Sequence, residues 1–341
     1  MNTFRMPAEW EPQSFVQLTW PHKDTDWRPY LDEITAVYVE MARAIVRHER
    51  LLVVAPEPEP VAARLRKTLG DEELSRVTFF RCDTNDTWAR DHAFISLTGE
   101  KEEEIRVLDF RFNGWGEKFE AEKDNTINRR LHESHVIAHL CAGAVYEDHS
   151  DLVLEGGSIE SDGEGTIFTT TCCLMAPHRN QPLSKTAIEN ELKRRLWAER
   201  IVWLDCEPMA GDDTDGHIDT MVRLAPHHII IYNEGCRAAA QLKALKTLRG
   251  EAYRLVELPL PEMLTNDAGE PMPATYANFL IINGAVLVPT YGQSERDAEA
   301  MRLIGGVFEG REVIGIDSRV IVRQHGSVHC CTMQYPSNKK L

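Results

Sequence analysis

The sequence predicts a mixed α/β fold in a single domain over residues 1–341, on three observations. Short apolar segments rich in Val, Ile, Phe and Thr recur between turn signals, as strands do. Stretches with apolar residues at helical spacing separate them. Strand pairs with one helix then repeat about five times at roughly 60–70 residues each, too long for a solenoid repeat and too rich in hairpins for a doubly wound parallel sheet.

In chain order, helical spacing covers 31–48, and "RLLVVAPE" (50–57) follows as a strand. "EIRVLDFRF" (104–112) is the next strand, and 124–142 reads as a helix. "GTIFTTTCCL" (165–174) is β-branched and precedes a helix over 184–196 with Ser184 as its N-cap. "HHIIIYNE" (227–234) predicts a strand before a helix over 235–250. In "FLIINGAVLVPTYG" (279–292), Asn283-Gly284 between two apolar runs signals a hairpin. A helix over 294–308 and a strand over 318–325 ("SRVIVRQH") complete the pattern. No Gly/Ser linker or low-complexity tract divides the chain.

Lys and Arg total 38 against 54 Asp and Glu, a formal charge of −16. That balance argues against nucleic acid, which is held by basic residues neutralising phosphates, and mildly favours cationic ligands. No apolar run approaches the roughly 20 residues of a membrane span, and the N-terminus shows no secretory signal, so the expected compartment is the cytosol. The eight cysteines (82, 141, 172, 173, 206, 236, 330 and 331) form no C-x-x-C pair, which points to reduced thiols without a structural zinc site.

Four segments carry candidate chemistry. "TNDTWARDH" (84–92) packs Asp86, Trp88, Arg90 and Asp91 together. Asp91 could bind a planar cation against the wall of Trp88; a solvated turn with Arg90 paired to Asp91 is the alternative. "LVLEGGSIESDGEGT" (152–166) ends an apolar run at Glu155 before Gly156-Gly157, where a carboxylate could orient a histidine or serve structure alone; "SDGEGT" reads as a hairpin turn. In "GDDTDGHIDT" (211–220), extended geometry would put Asp215, His217 and Asp219 on one face, with His217 as proton shuttle and a carboxylate binding a cation. A metal reading finds no recognised ligand spacing there, and "HESHVIAH" (132–139) reads as a surface helix face. In "RQHGSVHCCTMQYP" (323–336), a strand end would direct Cys330 and Cys331 to opposite sides, one to the core and the other to a site.

These blocks, with "MPAEWEPQSFVQLTWPH" (6–22) and "CCLMAPHRNQPLSKTAIENELKRRL" (172–196), resemble the agmatine deiminase branch of the guanidine-modifying enzymes, grouped with the porphyromonad-type peptidylarginine deiminases, over nearly the whole chain. The resemblance implies a five-bladed α/β propeller of ββαβ modules with pseudo-fivefold symmetry. It also implies hydrolysis of a guanidine to a ureido product and ammonia, without metal or cofactor. By motif position Cys330 is similar to the nucleophile, His217 to the general acid/base, Asp91 and Asp219 to the guanidinium-binding pair, and Glu155 to the partner of His217.

One departure touches specificity. The agmatine deiminases carry a glycine-rich run before the His-Cys pair, where this chain has His325 and Ser327. The expected partner is a small cationic guanidine, agmatine first, with free or peptidyl arginine as the alternative; a homodimer is compatible with either. A non-catalytic arginine-peptide binder is the rival from another class, disfavoured by the Cys330–His217 pair, which a binder does not need. The ammonium at the far end of agmatine wants an acid partner. Asp86, Asp213 and Asp215 are the unassigned carboxylates nearest the clamp, with Trp88 expected along the aliphatic spacer.

Overall fold

Five sheets of three or four strands and one two-stranded ribbon organise the protein, in a computed structural model that describes residues 4–101 and 104–337. Each sheet repeats one plan: an antiparallel pair, then a helical crossover to a strand that pairs in parallel. In the sheet built from Ile95–Gly99, Ile105–Arg111 and Ala144–Val153, the first pair is antiparallel and the second parallel. The same order holds for Ile159–Ser161, Thr166–Thr170 and Arg200–Leu204. It recurs in Val222–Ala225, Ile229–Asn233 and Arg254–Leu258, and in Leu280–Ile282, Ala285–Thr290 and Glu312–Asp317. The remaining sheet joins the two ends of the chain. Thr332–Pro336 pairs antiparallel with Gln13–Thr19, which continues in parallel to Arg50–Ala55 and Val77–Arg81.

The crossovers form where the sequence favours them. Leu31–Val46 has buried Ile34, Tyr38, Met41 and Ile45 at helical spacing, with acidic Asp32 and Glu33 in its first turn, where the helix dipole favours negative charge. Ser184 caps Lys185–Leu196 by accepting the Ala187 N–H at 3.2 Å. Asn283-Gly284 makes the expected hairpin, with Gly284 at φ 76°. Among the described residues no helix is long and apolar enough to cross a membrane, and all eight cysteines are free thiols.

Four expectations change. Residues 318–325 are not a strand: the ladder runs through Glu312–Asp317, and the chain then coils into a 3-10 turn at Ile321–Gln324. Val320, Ile321 and Val322 are buried there, and a short apolar run reads the same for a buried turn as for a strand. The strand predicted over 165–174 stops at Thr170, whose hydroxyl caps the helical turn Thr171–Leu174. The helix over 124–142 breaks at Ser134 and His135, the latter at φ 61°. The helix over 235–250 shrinks to Ala239–Ala244.

Candidate active site

Five short turns converge, each leading into the first antiparallel strand of a different sheet. The helical turn Ala89–His92 carries Asp91 ahead of Ile95–Gly99. Glu155 and the 3-10 turn Gly156–Ser158 precede Ile159–Ser161. His217 and Asp219 precede Val222–Ala225, the latter on the 3-10 turn Ile218–Thr220. Asn278 precedes Leu280–Ile282, and Cys330 precedes Thr332–Pro336. Hydrogen bonds stitch the turns to one another. The Gly157 N–H donates to Asp91 Oδ1 at 3.0 Å, and Asn278 Nδ2 donates to the Asp219 carbonyl at 3.4 Å. The Cys330 N–H donates to Asn278 Oδ1 at 3.2 Å, and the Arg90 N–H to the Cys330 carbonyl, also at 3.2 Å.

The candidate groups Cys330, His217, Asp91, Asp219 and Glu155 meet among these turns and are almost wholly buried. Cys330 Sγ lies 3.9 Å from Asp219 Oδ2. His217 Nδ1 lies 3.6 Å from Asp91 Oδ1. Asp91 Oδ2 accepts the Trp115 indole N–H at 3.0 Å. Gly157 is required by space: a Cβ there would stand 2.6 Å from His217 Nδ1 and 2.8 Å from Asp91 Oδ1. Several buried polar atoms have no protein partner, namely Asp219 Oδ1, Glu155 Oε2 and both ring nitrogens of His217. Such atoms are rare in folded proteins and mark where a ligand or water completes the bonding.

A cavity opens onto Cys330 and Asp91, walled by Trp88, Trp115 and Phe119. Asp26, Asp86, Asp213 and His325 also line it, and no Lys or Arg is found among the described residues that do so. The expected tail carboxylates therefore separate. Asp86 lines the cavity while accepting the indole N–H groups of Trp27 and Trp88, both at 3.0 Å. Asp213 also lines the cavity. Asp215 does not: it sits at φ 64° and its carboxylate pairs with Arg179 at 2.6 Å and Lys118 at 2.8 Å. The segment around His217 is turned rather than extended, so the single face expected for Asp215, His217 and Asp219 does not form. His217 and Asp219 converge through the 3-10 turn instead. Cys330 and Cys331 lie in a turn before the strand; both border the apolar core, and of the two only Cys330 lines the cavity.

Burial shapes the electrostatics. It pushes Asp91 up to about 6, although His217 opposes it. Burial also works against a charged His217, yet Asp91, Cys173 and Asp219 hold that imidazole well above the usual histidine range. Burial and the nearby Asp219 and Asp91 push the Cys330 thiol well up. Asp219 goes the other way: burial would raise it, but the hydrogen bond from His329 holds it below the ordinary carboxylate range. Two acids, an imidazole whose protonated form is favoured and a thiol held up by burial and negative neighbours thus meet at buried polar atoms that have no protein partner.

Sequence reading missed four supporting residues. Arg179 Nε donates to Glu155 Oε1 at 2.7 Å, and both side chains are fully buried. Trp115 holds Asp91, Asn278 joins two turns, and His329 Nδ1 donates to Asp219 Oδ2 at 2.7 Å. Only Arg179 and His329 stood inside the quoted blocks. Ligand atoms of Glu155, Cys173 and His217 lie within 4.8 Å of one another, a metal-like grouping. The Arg179 guanidinium already neutralises the carboxylate of that group.

The sequence matches the Porphyromonas-type peptidyl-arginine deiminase family over residues 5–336. Agmatine deiminase of Medicago truncatula is 31% identical, with 98% of this chain and 96% of that protein aligned. A crystal structure from Porphyromonas gingivalis, described provisionally as an arginine deiminase, superposes with a TM-score of 0.89 at 47% identity, covering 98% of this chain and 99% of that one. A cysteine-to-serine agmatine deiminase from C. jejuni with substrate bound gives a TM-score of 0.87 at 33% identity, covering 99% and 98%.

Proposed function

The chain belongs to the Porphyromonas-type peptidyl-arginine deiminase family, and on that premise we propose that it hydrolyses agmatine to N-carbamoylputrescine and ammonia. The observation that carries this reading is a Cys330 thiol 3.9 Å from the buried Asp219, on a cavity that Cys330 and Asp91 line together with other carboxylates and aromatic rings and without Lys or Arg among its described residues. A guanidinium is planar and donates in fork geometry, so two carboxylates can hold its nitrogens and fix its central carbon over a nucleophile. Free arginine brings a carboxylate that this lining would repel. A decarboxylated, doubly cationic substrate suits it better.

In the mechanism we propose, Asp91 and the unpartnered Oδ1 of Asp219 accept the guanidinium N–H groups. The bound cation lowers the Cys330 thiol, which is otherwise held up by burial and its acidic neighbours. Sγ attacks the guanidinium carbon to give a tetrahedral adduct. The C–N bond then breaks as His217 gives its proton to the departing ammonia, leaving a thiouronium on Cys330. His217, now neutral, takes a proton from water as oxygen bonds to the carbon; the C–S bond then breaks, the new hydroxyl passes its proton to solvent, and the ureido product leaves with the thiolate and the protonated imidazole restored. Glu155, steadied by Arg179, supports the imidazole through these proton transfers. The scheme routes no step through a metal or cofactor.

We further infer that the five sheets are blades of an α/β propeller in one domain, with the reactive turns at the hub. The common strand plan and the hydrogen-bonded turns support that arrangement. Eight free thiols fit a reducing cytosol. The test is ammonia release from a panel of guanidines after exhaustive treatment with chelators. Agmatine is expected to lead the panel. Faster turnover of free or peptidyl arginine would move the substrate, and no turnover of any guanidine would sink the reading.

A further inference from the structure

The N-terminal block "MPAEWEP" takes no part in the chemistry above, yet it sends one acid beneath the reactive cluster. Glu9 Oε1 lies 2.9 Å from His329 Nε2. The other ring nitrogen, Nδ1, donates to Asp219 Oδ2 at 2.7 Å. Carboxylate, imidazole and carboxylate thus form one chain that ends on the guanidinium-binding pair. We propose that Glu9 is a positioning residue for the deimination, acting through His329 to hold Asp219 with one oxygen fixed and the other free for substrate; this rests on the reading of Asp219 given above.

Three observations support it. First, Asp219 Oδ2 is occupied by His329 whereas Oδ1 is buried without a partner, so the His329 bond decides which oxygen faces the guanidinium. Second, the network is closed by opposite charge. Arg223 donates to Glu9 and Glu160, and Arg90 Nη1 donates to Glu9 at 3.1 Å. Asp219, Glu9 and Glu160 lie against Arg90 and Arg223, with Glu160 pushed up to about 8 by burial, so the Glu9 charge weighs directly on the proton of His329. Third, both ring nitrogens face carboxylate oxygens at hydrogen-bond distance, with Arg223 Nη2 also 3.1 Å from Nε2, so the balance between Glu9 and Arg223 at Nε2 sets how strongly Nδ1 donates to Asp219. Burial and the two guanidiniums hold His329 below the usual histidine range, and Glu9 opposes them. Without the Glu9 charge His329 becomes a weaker donor, and Asp219 holds its own proton more readily.

A purely structural Glu9 would anchor Arg90 and Arg223 and do nothing more. The two roles separate in a double-mutant cycle. Glu9→Gln should lower kcat/KM by about tenfold or more, mainly through KM, and move to higher pH the step of its acid limb that belongs to Asp219, below the step of Asp91. In a His329→Asn background the same substitution should change kcat/KM by less than about twofold, because the path through the ring is already cut. Multiplicative effects of the two substitutions, or an unmoved acid limb, would overturn the proposal. If Glu9→Gln folds poorly, Glu9→Asp keeps the arginine pairing with a shorter reach and should give an intermediate shift of the limb; no shift there counts equally against it. The failure of the functional reading is distinguishable, because the His329 ring can be followed without turnover. In Cys330→Ser protein labelled with ¹⁵N-histidine, the His329 titration should move to lower pH on Glu9→Gln. An unchanged titration rejects the coupling whatever the substrate proves to be.

Discussion

Cys330 and Cys331 are adjacent in sequence but differ in surroundings. Both border the largest apolar cluster, but only Cys330 also lines the cavity, 3.9 Å from Asp219, whereas Cys331 is pushed up to about 12 by burial. Cys330→Ser should therefore lower kcat by about a thousandfold or more while agmatine still binds, and Cys331→Ala should keep substantial activity. Steady-state kinetics with binding calorimetry checks both, and the opposite pattern would exchange the two thiols. Asp91 fixes the pH dependence. Its carboxyl is raised to about 6 in the free protein, so the protonated form is favoured in the fold. That contribution to stability is present at low pH and lost as pH rises through about 6. Binding needs the ionised form and gains over the same window. The acid limb of kcat/KM should accordingly fall near 6, and agmatine should raise Tm more at pH 7.5 than at pH 5. A flat profile between those values would remove Asp91 from the clamp.

At the scale of elements, the site depends on turns before strands, and their glycines divide the labour. A Cβ on Gly157 would meet the side chains of His217, Asp91 and Asp219, whereas one on Gly156 would stand 2.2 Å from the Arg90 carbonyl. Gly157→Ala should cost about a hundredfold in kcat/KM with the fold retained, because the clamp is pushed apart. Gly156→Ala should act mainly on Tm, since backbone cannot give way as a side chain can. Arg179 belongs to another element, the loop after the helical turn Thr171–Leu174, and Arg179→Ala would leave the buried Glu155 carboxylate unpaired. Loss of one partner of such a pair costs about 3–5 kcal/mol, readable in denaturant unfolding. The reactive residues were legible because each occupies a short block of unusual composition, and the alternation of strands and helices was legible from periodicity. Arg179, Trp115 and Asn278 were not, because they reach the site from separations of 24, 24 and 52 residues, which no local pattern records. Asp215 misled for the opposite reason. Spacing placed it beside His217, but a left-handed backbone at φ 64° turns it toward Arg179 and Lys118.

The molecule as a whole carries a formal charge of −16, and its cavity repeats that sign locally through Asp26, Asp86 and Asp213. The overall charge draws any cation and fades with salt, so it sets encounter more than selectivity. Discrimination must come from the carboxylates held at the cavity itself. Asp86 is fixed by Trp27 and Trp88 but pushed up to about 6 by burial, so a cationic tail beside it would favour its ionised form. Asp213 is raised by burial and opposed by His325. His325 Nδ1 donates to the Gly211 carbonyl at 2.6 Å, tying this stretch to the Asp213 loop. Comparing agmatine with pentylguanidine, of equal length but without the terminal charge, isolates the tail. Agmatine should be favoured in kcat/KM by about tenfold or more, or about 1.4 kcal/mol of differential stabilisation. The preference should persist in salt, because partly buried pairs are screened less than surface ones. Asp86→Asn and Asp213→Asn should each narrow it, and the variant that narrows it more identifies the tail's partner. Equal rates for the two guanidines in the unmodified protein would mean that the tail charge is not read, and the protein would then be a broader guanidine hydrolase.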